Sequence, residues 1–252
     1  MAIALVTGAS AGLGEEFAWQ LATAGHDVVL VARSADRLSE LAEVIRSATG
    51  VGAEVLVADL STDAGRNAVA VRLADADSPV SMLVNNAGFG LGEGFLHTTW
   101  EDERRMLDVM VTATLQLSHI AAQSMSTRGH GAIVNISSIA AHLANSTYAA
   151  HKRWVLDFSE ALAGQLKGTG VSATAVVPGL VRTEFHEAES LAHMKDGYPS
   201  AAWLTPETVV TAALAGVRRK QVVVTPSARY LAATGVLRLV PKALLRTKRG
   251  QP

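Results

Sequence analysis

Ala2-Ile3-Ala4-Leu5-Val6-Thr7-Gly8-Ala9-Ser10-Ala11-Gly12-Leu13-Gly14 is the stretch whose reading decides the fold. Residues 2–7 are a short, unbroken apolar run, the pattern of a strand buried on both faces. A glycine-rich turn follows at once, and Phe17, Leu21 and Ala24 then recur at helical spacing. Strand, glycine turn and helix in that order give the glycine spacing chemical meaning. Glycines allow the tight turn and let backbone N–H groups approach a pyrophosphate, and the helix N-terminus adds partial positive charge. The rival reading is a turn whose glycines serve packing alone.

Working outward, Asp27 to Ala32 is a second apolar strand. A carboxylate at its end, about 20 residues after the glycines, would hold the ribose of NAD(H). Ala32 stands there instead, and Arg33 follows. Without the carboxylate a 2′-phosphate is not repelled, and a guanidinium can bind it bidentately. NADP(H) is therefore expected over NAD(H), with Ser10 and Arg37 able to assist.

The alternation then continues. Ser34 is placed to cap a helix to about residue 48, and strands are expected at 54–60 and 80–84 with a helix over 62–76 between them. The strand at 80–84 runs into the polar turn Asn85-Asn86-Ala87-Gly88 and a glycine-rich lip at 89–94. Thr98 and Glu101 have capping-box spacing before one long helix at 99–126. Strands at 132–136, 171–177 and 221–225 follow, separated by a helix from Tyr148 and another from Thr205-Pro206-Glu207. This predicts a single α/β domain over 1–252, a Rossmann-like doubly wound parallel sheet of about seven strands with helices on both faces. Residues 180–204 lose periodicity and read as a substrate loop, with His186, His193, Met194, Tyr198 and Trp203 along it.

With 252 residues, 49% hydrophobic and 18% charged, the chain can bury a large core. It has no cysteine, which excludes a disulfide scaffold and thiolate chemistry and suits a reducing cytoplasm. A net charge of -1 gives no signal for nucleic acid. No apolar run is long enough to span a membrane, and no histidine spacing suggests a metal site. The charge is uneven: residues 1–207 carry 13 basic against 23 acidic side chains, and the remainder nine basic and none acidic. This basic tail, about 227–252, reads either as an amphipathic helix for an anionic membrane surface or as a terminal helix packed on the sheet or a neighbouring subunit. Packing is the favoured reading, and Pro241 would break the helix.

A second stretch carries the reactive groups. Ser137 and Ser138 follow a strand, and Tyr148 and Lys152 lie four apart, on one face of a helix. An ammonium beside a phenol is expected to lower its pKa from about 10 and make Tyr148 a proton donor or acceptor near neutral pH. A serine hydroxyl from the preceding strand would hold a substrate oxygen, Ser138 being favoured over Ser137. His151 is expected to point away from the Tyr148 and Lys152 face.

Together these residues resemble the short-chain dehydrogenases/reductases over nearly the whole chain. The resemblance rests on Thr7-Gly8-x-x-x-Gly12-x-Gly14, Asp59, Asn85-Asn86-Ala87-Gly88, Ser138, Tyr148-x-x-x-Lys152 and Pro178-Gly179, in that order. The run Val177 to His186 looks like an actinobacterial branch.

The resemblance implies an NADP(H)-dependent interconversion of carbonyl and alcohol. Ser138, Tyr148 and Lys152 would be catalytic. Gly8, Gly12 and Gly14 would line the pyrophosphate, Asp59 and Leu60 would contact the adenine, and Asn86 and Ala87 would sit beside the adenosine ribose, with Leu13 and Gly88 also among the cofactor contacts and Ser10 and Arg33 kept for the 2′-phosphate. Tyr148 and Lys152 would meet the nicotinamide ribose, and Pro178, Gly179 and Thr183 the nicotinamide. Asn85 would steady the central strands. A homodimer or homotetramer is implied as well.

Two features depart from the family pattern. Met110 stands in the long helix where an asparagine continues a proton relay and helps to distort the helix; its backbone carbonyl could still serve the relay, but the distorting side chain is gone, so proton resupply, though not hydride transfer, is expected to suffer. Ser138 and Tyr148 are closer in sequence than in many members. Met110 motivates the alternative of a regulatory or scaffold protein that binds the dinucleotide with little or no turnover.

Overall fold

The computed structural model describes residues 2–143, 145–183 and 199–239. The elements run β1 (Ile3–Thr7), α1 (Gly12–Thr23), β2 (Asp27–Ala32), α2 (Ala35–Thr49), β3 (Ala53–Val57), α3 (Asp63–Ala74) and β4 (Val80–Asn85). They continue with α4 (Trp100–Leu107), a π-helical turn (Asp108–Thr112), α5 (Ala113–Arg128), β5 (Gly131–Ile136), α6 (Thr147–Gln165), β6 (Val171–Val176), α7 (Pro206–Arg218), β7 (Val223–Val224) and α8 (Ala228–Leu239). Short 3-10 turns occupy Ile139–His142 and Ser200–Ala202.

The strands form one seven-stranded sheet in the order β3-β2-β1-β4-β5-β6-β7, and every pairing is parallel. The doubly wound sheet expected from the alternation is therefore observed. Strand side chains alternate between two cores, Ala4 and Val6 facing one side and Leu5 the other. Phe17, Leu38, Ile45 and Val209 cover the first side, and Leu73, Leu117, Met125 and Leu166 the second. The winding reverses between β1 and β4, and the crevice outside the strands' carboxyl ends at such a point is where ligands bind.

Local chemistry moves several expected boundaries. β3 stops at Val57 rather than 60, because Asp59 turns the chain: its carboxylate accepts from the Ser61 N–H (2.9 Å) and hydroxyl (2.7 Å). Thr99, not Thr98, caps α4 by accepting from the Asp102 N–H at 3.1 Å, while the Thr98 hydroxyl donates to Glu103 at 2.9 Å. Ser34 stands at the start of α2 but makes no side-chain capping bond. Thr205 caps α7 as expected, with Pro206 at its first position.

The single long helix expected at 99–126 is three segments, and the middle one corrects a further expectation. The π turn forms with Met110 in it, so no asparagine side chain is required for the distortion. Asp108 anchors the turn by accepting from Arg104 Nε at 2.9 Å and the Thr112 hydroxyl at 3.2 Å. Within the expected substrate loop, residues 184–198, with His186, His193, Met194 and Tyr198, lie outside the described residues, as does the tail from 240 with Pro241. A parallel bridge between Val181 and Leu204 joins the loop's two described ends.

Candidate active site

A cleft of about 1620 Å³ runs along the carboxyl edge of the sheet, from Arg33 and Arg37 at one end to Ser138, Tyr148 and Tyr230 at the other. That volume exceeds an ordinary single-ligand pocket of roughly 300–1,000 Å³ and leaves room for an extended cofactor beside a second molecule. Gly12 and Leu13, at the start of α1, lie midway along it. Position Ala11 before α1 offers no side chain to cap the helix. First-turn amides without a side-chain cap at a cleft wall suit an anionic group such as a pyrophosphate.

The glycine turn is held by its neighbours. Gly8 and Gly12 have φ of +66° and +59°, which side chains rarely adopt. The Thr7 hydroxyl accepts from the Asn86 and Ala87 N–H groups at 3.0 and 3.1 Å, and Asn86 Nδ2 donates to the Thr7 and Gly8 carbonyls at 3.0 and 3.2 Å. The turns after β1 and β4 are thus one rigid unit. Gly14 is different and corrects the expectation that it lines the pyrophosphate. It is buried and off the cleft wall, and a Cβ there would lie 2.0 Å from the Gly8 carbonyl oxygen. Its role is to let α1 approach the turn.

At the cationic end, Arg33, Arg37, Asp59 and Leu60 line the wall, with Arg33 and Arg37 exposed. Burial works to raise the Asp59 carboxyl. The Ser61 hydrogen bonds and the charges of Arg105 and Arg33 outweigh it and hold the group below its ordinary value. Arg105, on α4, lies 5.9 Å over the Phe89 ring and lines the same wall. The sequence carried no signal for it, because the long connection before α4 decides which side of that helix meets the cleft.

At the other end, the Ser138 hydroxyl lies beside the Tyr148 hydroxyl and favours its ionised form, and Ser138 Oγ accepts from the Ala140 N–H at 3.1 Å. Ser146 caps α6 by accepting from the Ala149 N–H at 3.1 Å, which fixes the helix that carries Tyr148 and Lys152. Lys152 is buried and donates from Nζ to the Ile136 carbonyl at 2.7 Å, and Ser137 Oγ donates to the Lys152 carbonyl at 2.7 Å. Both serines line the cleft, but the Ser137 hydroxyl is committed to the Lys152 carbonyl, whereas Ser138 stands beside Tyr148.

The pKa pattern reverses the expectation for the tyrosine. Desolvation pushes the Tyr148 hydroxyl up to about 12, only partly opposed by the neighbouring Ser138 hydroxyl. Burial draws Lys152 down to about 8. The ammonium is directed at the Ile136 carbonyl and lies 5.7 Å over the Tyr148 ring, so desolvation outweighs its charge at the phenol.

Behind the site, Asn85 Nδ2 donates to Asn135 Oδ1 at 2.8 Å and to Ser118 Oγ at 3.0 Å, and Asn135 Nδ2 donates to Ser159 Oγ at 2.9 Å. This fully buried network joins β4, β5, α5 and α6. Asn85 was expected from the sequence; Asn135, inside an apolar strand, was not. Ser10, Gly88, Pro178, Gly179 and Thr183 also line the cleft, whereas His142 and His151 do not. Among the described residues no group of three His, Asp or Glu side chains is placed to hold a metal, and no helix is long and apolar enough to cross a membrane.

A doubly wound parallel sheet with an uncapped glycine-rich helix start at its switch point defines a dinucleotide-binding α/β protein. Residues 2–193 match the short chain dehydrogenase family, and the chain belongs to that family. It is 33% identical over 229 residues to a very-long-chain 3-oxoacyl-CoA reductase of Meyerozyma guilliermondii, covering 86% of this chain and 65% of that protein. It is 36% identical over 188 residues to a galactitol 2-dehydrogenase of Cereibacter sphaeroides, covering 73% and 72%. Its structure superimposes on a short-chain dehydrogenase from Sphingobium yanoikuyae in complex with NADPH with a TM-score of 0.83 and 33% identity, covering 100% of this chain and 98% of that one. The chain spans just under two thirds of the length of the fungal reductases it matches. Its relatives span fungi and bacteria.

Proposed function

We propose that this chain is an NADP(H)-dependent oxidoreductase that interconverts a carbonyl and an alcohol on a partly hydrophobic substrate. The observation that carries the reading is the juxtaposition of the Ser138 and Tyr148 hydroxyls in a cleft whose far end is cationic. NADPH, bound along the uncapped start of α1, would supply the hydride. Arg33, with no carboxylate at the end of β2, suits the 2′-phosphate, and an NADPH-bound structural relative supports the same choice. Gly8, Gly12 and Leu13 would hold the pyrophosphate, Asp59 and Leu60 the adenine side, Asn86 to Gly88 the adenosine ribose, and Pro178, Gly179 and Thr183 the nicotinamide.

Ser138 would orient the substrate oxygen. Tyr148, held near 12 and hence protonated at neutral pH, would give that oxygen its proton. Lys152 would keep a positive charge beneath the ring and meet the nicotinamide ribose. Ile139, Leu143, Leu180 and Val181 line the wall beside Ser138 and favour an apolar group next to the reacting carbon.

Cytoplasmic residence, a homodimer or homotetramer, a substrate loop at 180–204 and a packed rather than membrane-bound basic tail at 227–252 belong to the same proposal. So does an actinobacterial lineage, which rests on the run 177–186 alone.

The test is NADPH oxidation across a panel of apolar and polar carbonyls, with wild type and Tyr148→Phe. Turnover by wild type that the variant loses supports the reading. Equal rates remove Tyr148 from the chemistry, and tight NADPH binding with no turnover on any carbonyl favours the regulatory alternative.

A further inference from the structure

The described part of the C-terminal region supplies a side chain that neither motif nor spacing pointed to. Tyr230, in the first turn of α8, lines the cleft at its reacting end. Its hydroxyl accepts from the Leu180 N–H at 3.0 Å and donates to the Ala202 carbonyl at 2.8 Å. One phenol therefore ties together the two described flanks of the loop, near the Val181 and Leu204 bridge. The adjacent Arg229 adds a bond from Nη1 to the Ala201 carbonyl at 2.7 Å.

The ring has a matching seat. A Cβ on Gly179 would lie 1.9 Å from Cζ of Tyr230 and 2.2 Å from both of its Cε atoms. Gly179 has no positive φ to explain the absence of a side chain. Room for this ring does explain it. The seat is also connected to the catalytic turn. The Ile139 N–H donates to the Pro178 carbonyl at 2.8 Å, and α8 packs against the 3-10 turn that follows Ser138. A continuous path thus runs from Ser138 through Pro178 and Gly179 to Tyr230 and on to Ala202.

We propose that Tyr230 is a positioning residue: by seating on Gly179 and bridging Leu180 to Ala202, it sets the spacing between the Pro178-Gly179 turn and the Ser138 turn, and with it the fit of nicotinamide and carbonyl. The inference rests on the proposed reductase reading for its kinetic consequences, but not for its structural ones.

The experiment compares wild type, Tyr230→Phe and Tyr230→Ala by hydrogen exchange over residues 178–183 and 199–204, by NADPH affinity and by steady-state kinetics on a carbonyl that wild type reduces. Tyr230→Phe keeps the ring and loses both hydrogen bonds. It should speed exchange at Leu180 and raise KM for the carbonyl roughly five- to tenfold, the scale of one to two hydrogen bonds, with kcat changed less than about twofold. Tyr230→Ala should weaken NADPH binding as well. Gly179→Ala should resemble Tyr230→Ala, and adding Tyr230→Ala to it should cost little more, since both lose the same seat.

Unchanged exchange and NADPH affinity in both Tyr230 variants overturn the inference whether or not a substrate is found. Faster exchange with KM unaltered and kcat lowered overturns the positioning role in substrate fit. Absence of wild-type turnover counts against the reductase reading alone, and the exchange and affinity measurements then decide on Tyr230.

Discussion

The two ends of the cleft are built on opposite physical terms. At the Arg33 end the charged side chains are exposed, and the turns beneath them are held by backbone and hydroxyl hydrogen bonds from Thr7, Asn86 and Ser61. At the Tyr148 end the ionisable groups are desolvated, and both have pKa values displaced by about two units or more from their ordinary values, to about 12 and about 8. The first end is suited to recognising charge in water, where each contact is screened and modest. The second is suited to proton chemistry, where a single group in a dry setting carries a large effect. Changes to the proton-bearing groups of the reacting end should therefore act on kcat, and changes at the cationic end on cofactor affinity.

The largest effect sharpens that contrast directly. Tyr148→Phe removes only a hydroxyl, yet kcat for carbonyl reduction should fall by about 10²- to 10⁴-fold, the usual scale for losing general acid catalysis. NADPH affinity should stay within a few-fold, measured by fluorescence titration. A large loss of NADPH affinity instead would merge the two ends into one binding unit.

Gly14→Ala probes the joint between the ends. A Cβ 2.0 Å from the Gly8 carbonyl oxygen and 2.6 Å from Asn86 Nδ2 cannot be accommodated without moving backbone. A loss of about 3 kcal/mol or more in unfolding free energy is expected, as for overpacking of a rigid site. Chemical denaturation of both proteins measures it. A near-neutral result would mean that α1 can slide away from the turn.

Lys152 gives the next effect, in pH. Its ammonium is charged below about 8 and neutral above. Tyr148, near 12, stays protonated throughout that range. Reductive kcat should be flat below pH 8 and decline above it by up to about tenfold per pH unit. The stability contribution runs the other way. The unfolded lysine holds its proton up to about 10.4, so between about pH 8 and 10 the unfolded chain binds more protons and the Lys152 contribution to stability rises with pH. A pH-rate profile beside a pH series of melting temperatures checks both signs. Activity and this stability contribution falling together above pH 8 would show that Lys152 is not the titrating group.

The same contrast explains what was legible in the sequence. The doubly wound parallel sheet and the cationic end follow from local pattern: apolar runs alternating with helical periodicity, Ala32 followed by Arg33, Asn85 to Gly88. Those signals are short-range because a strand and the turn after it are contiguous. The roles at the reacting end depend on what surrounds a group in space. Tyr148 and Lys152 share a helix face as their spacing requires, but the sign of the tyrosine shift is set by desolvation, which spacing does not encode. Gly14 and Gly179 look like cofactor glycines in the sequence, and one is packed on Gly8 and the other on Tyr230. Tyr230 is more than 45 residues from every motif of the family resemblance, and nothing near it in the chain marks its seat.

Arg33 is the smallest change and the sharpest test of the cationic end. Its side chain is exposed on the same cleft wall as Ser10 and Arg37, which would remain to meet the phosphate. Arg33→Ala should therefore weaken NADPH by only about tenfold, the scale of one charge-assisted contact partly screened by water, and leave NADH nearly unaffected. The ratio of the two affinities, measured at low and high salt, isolates the 2′-phosphate, because everything else in the two cofactors is shared. A salt-dependent loss confined to NADPH assigns Arg33 to that phosphate. Equal weakening of both cofactors would move Arg33 to the pyrophosphate or the adenine and make Arg37 the next cation to replace.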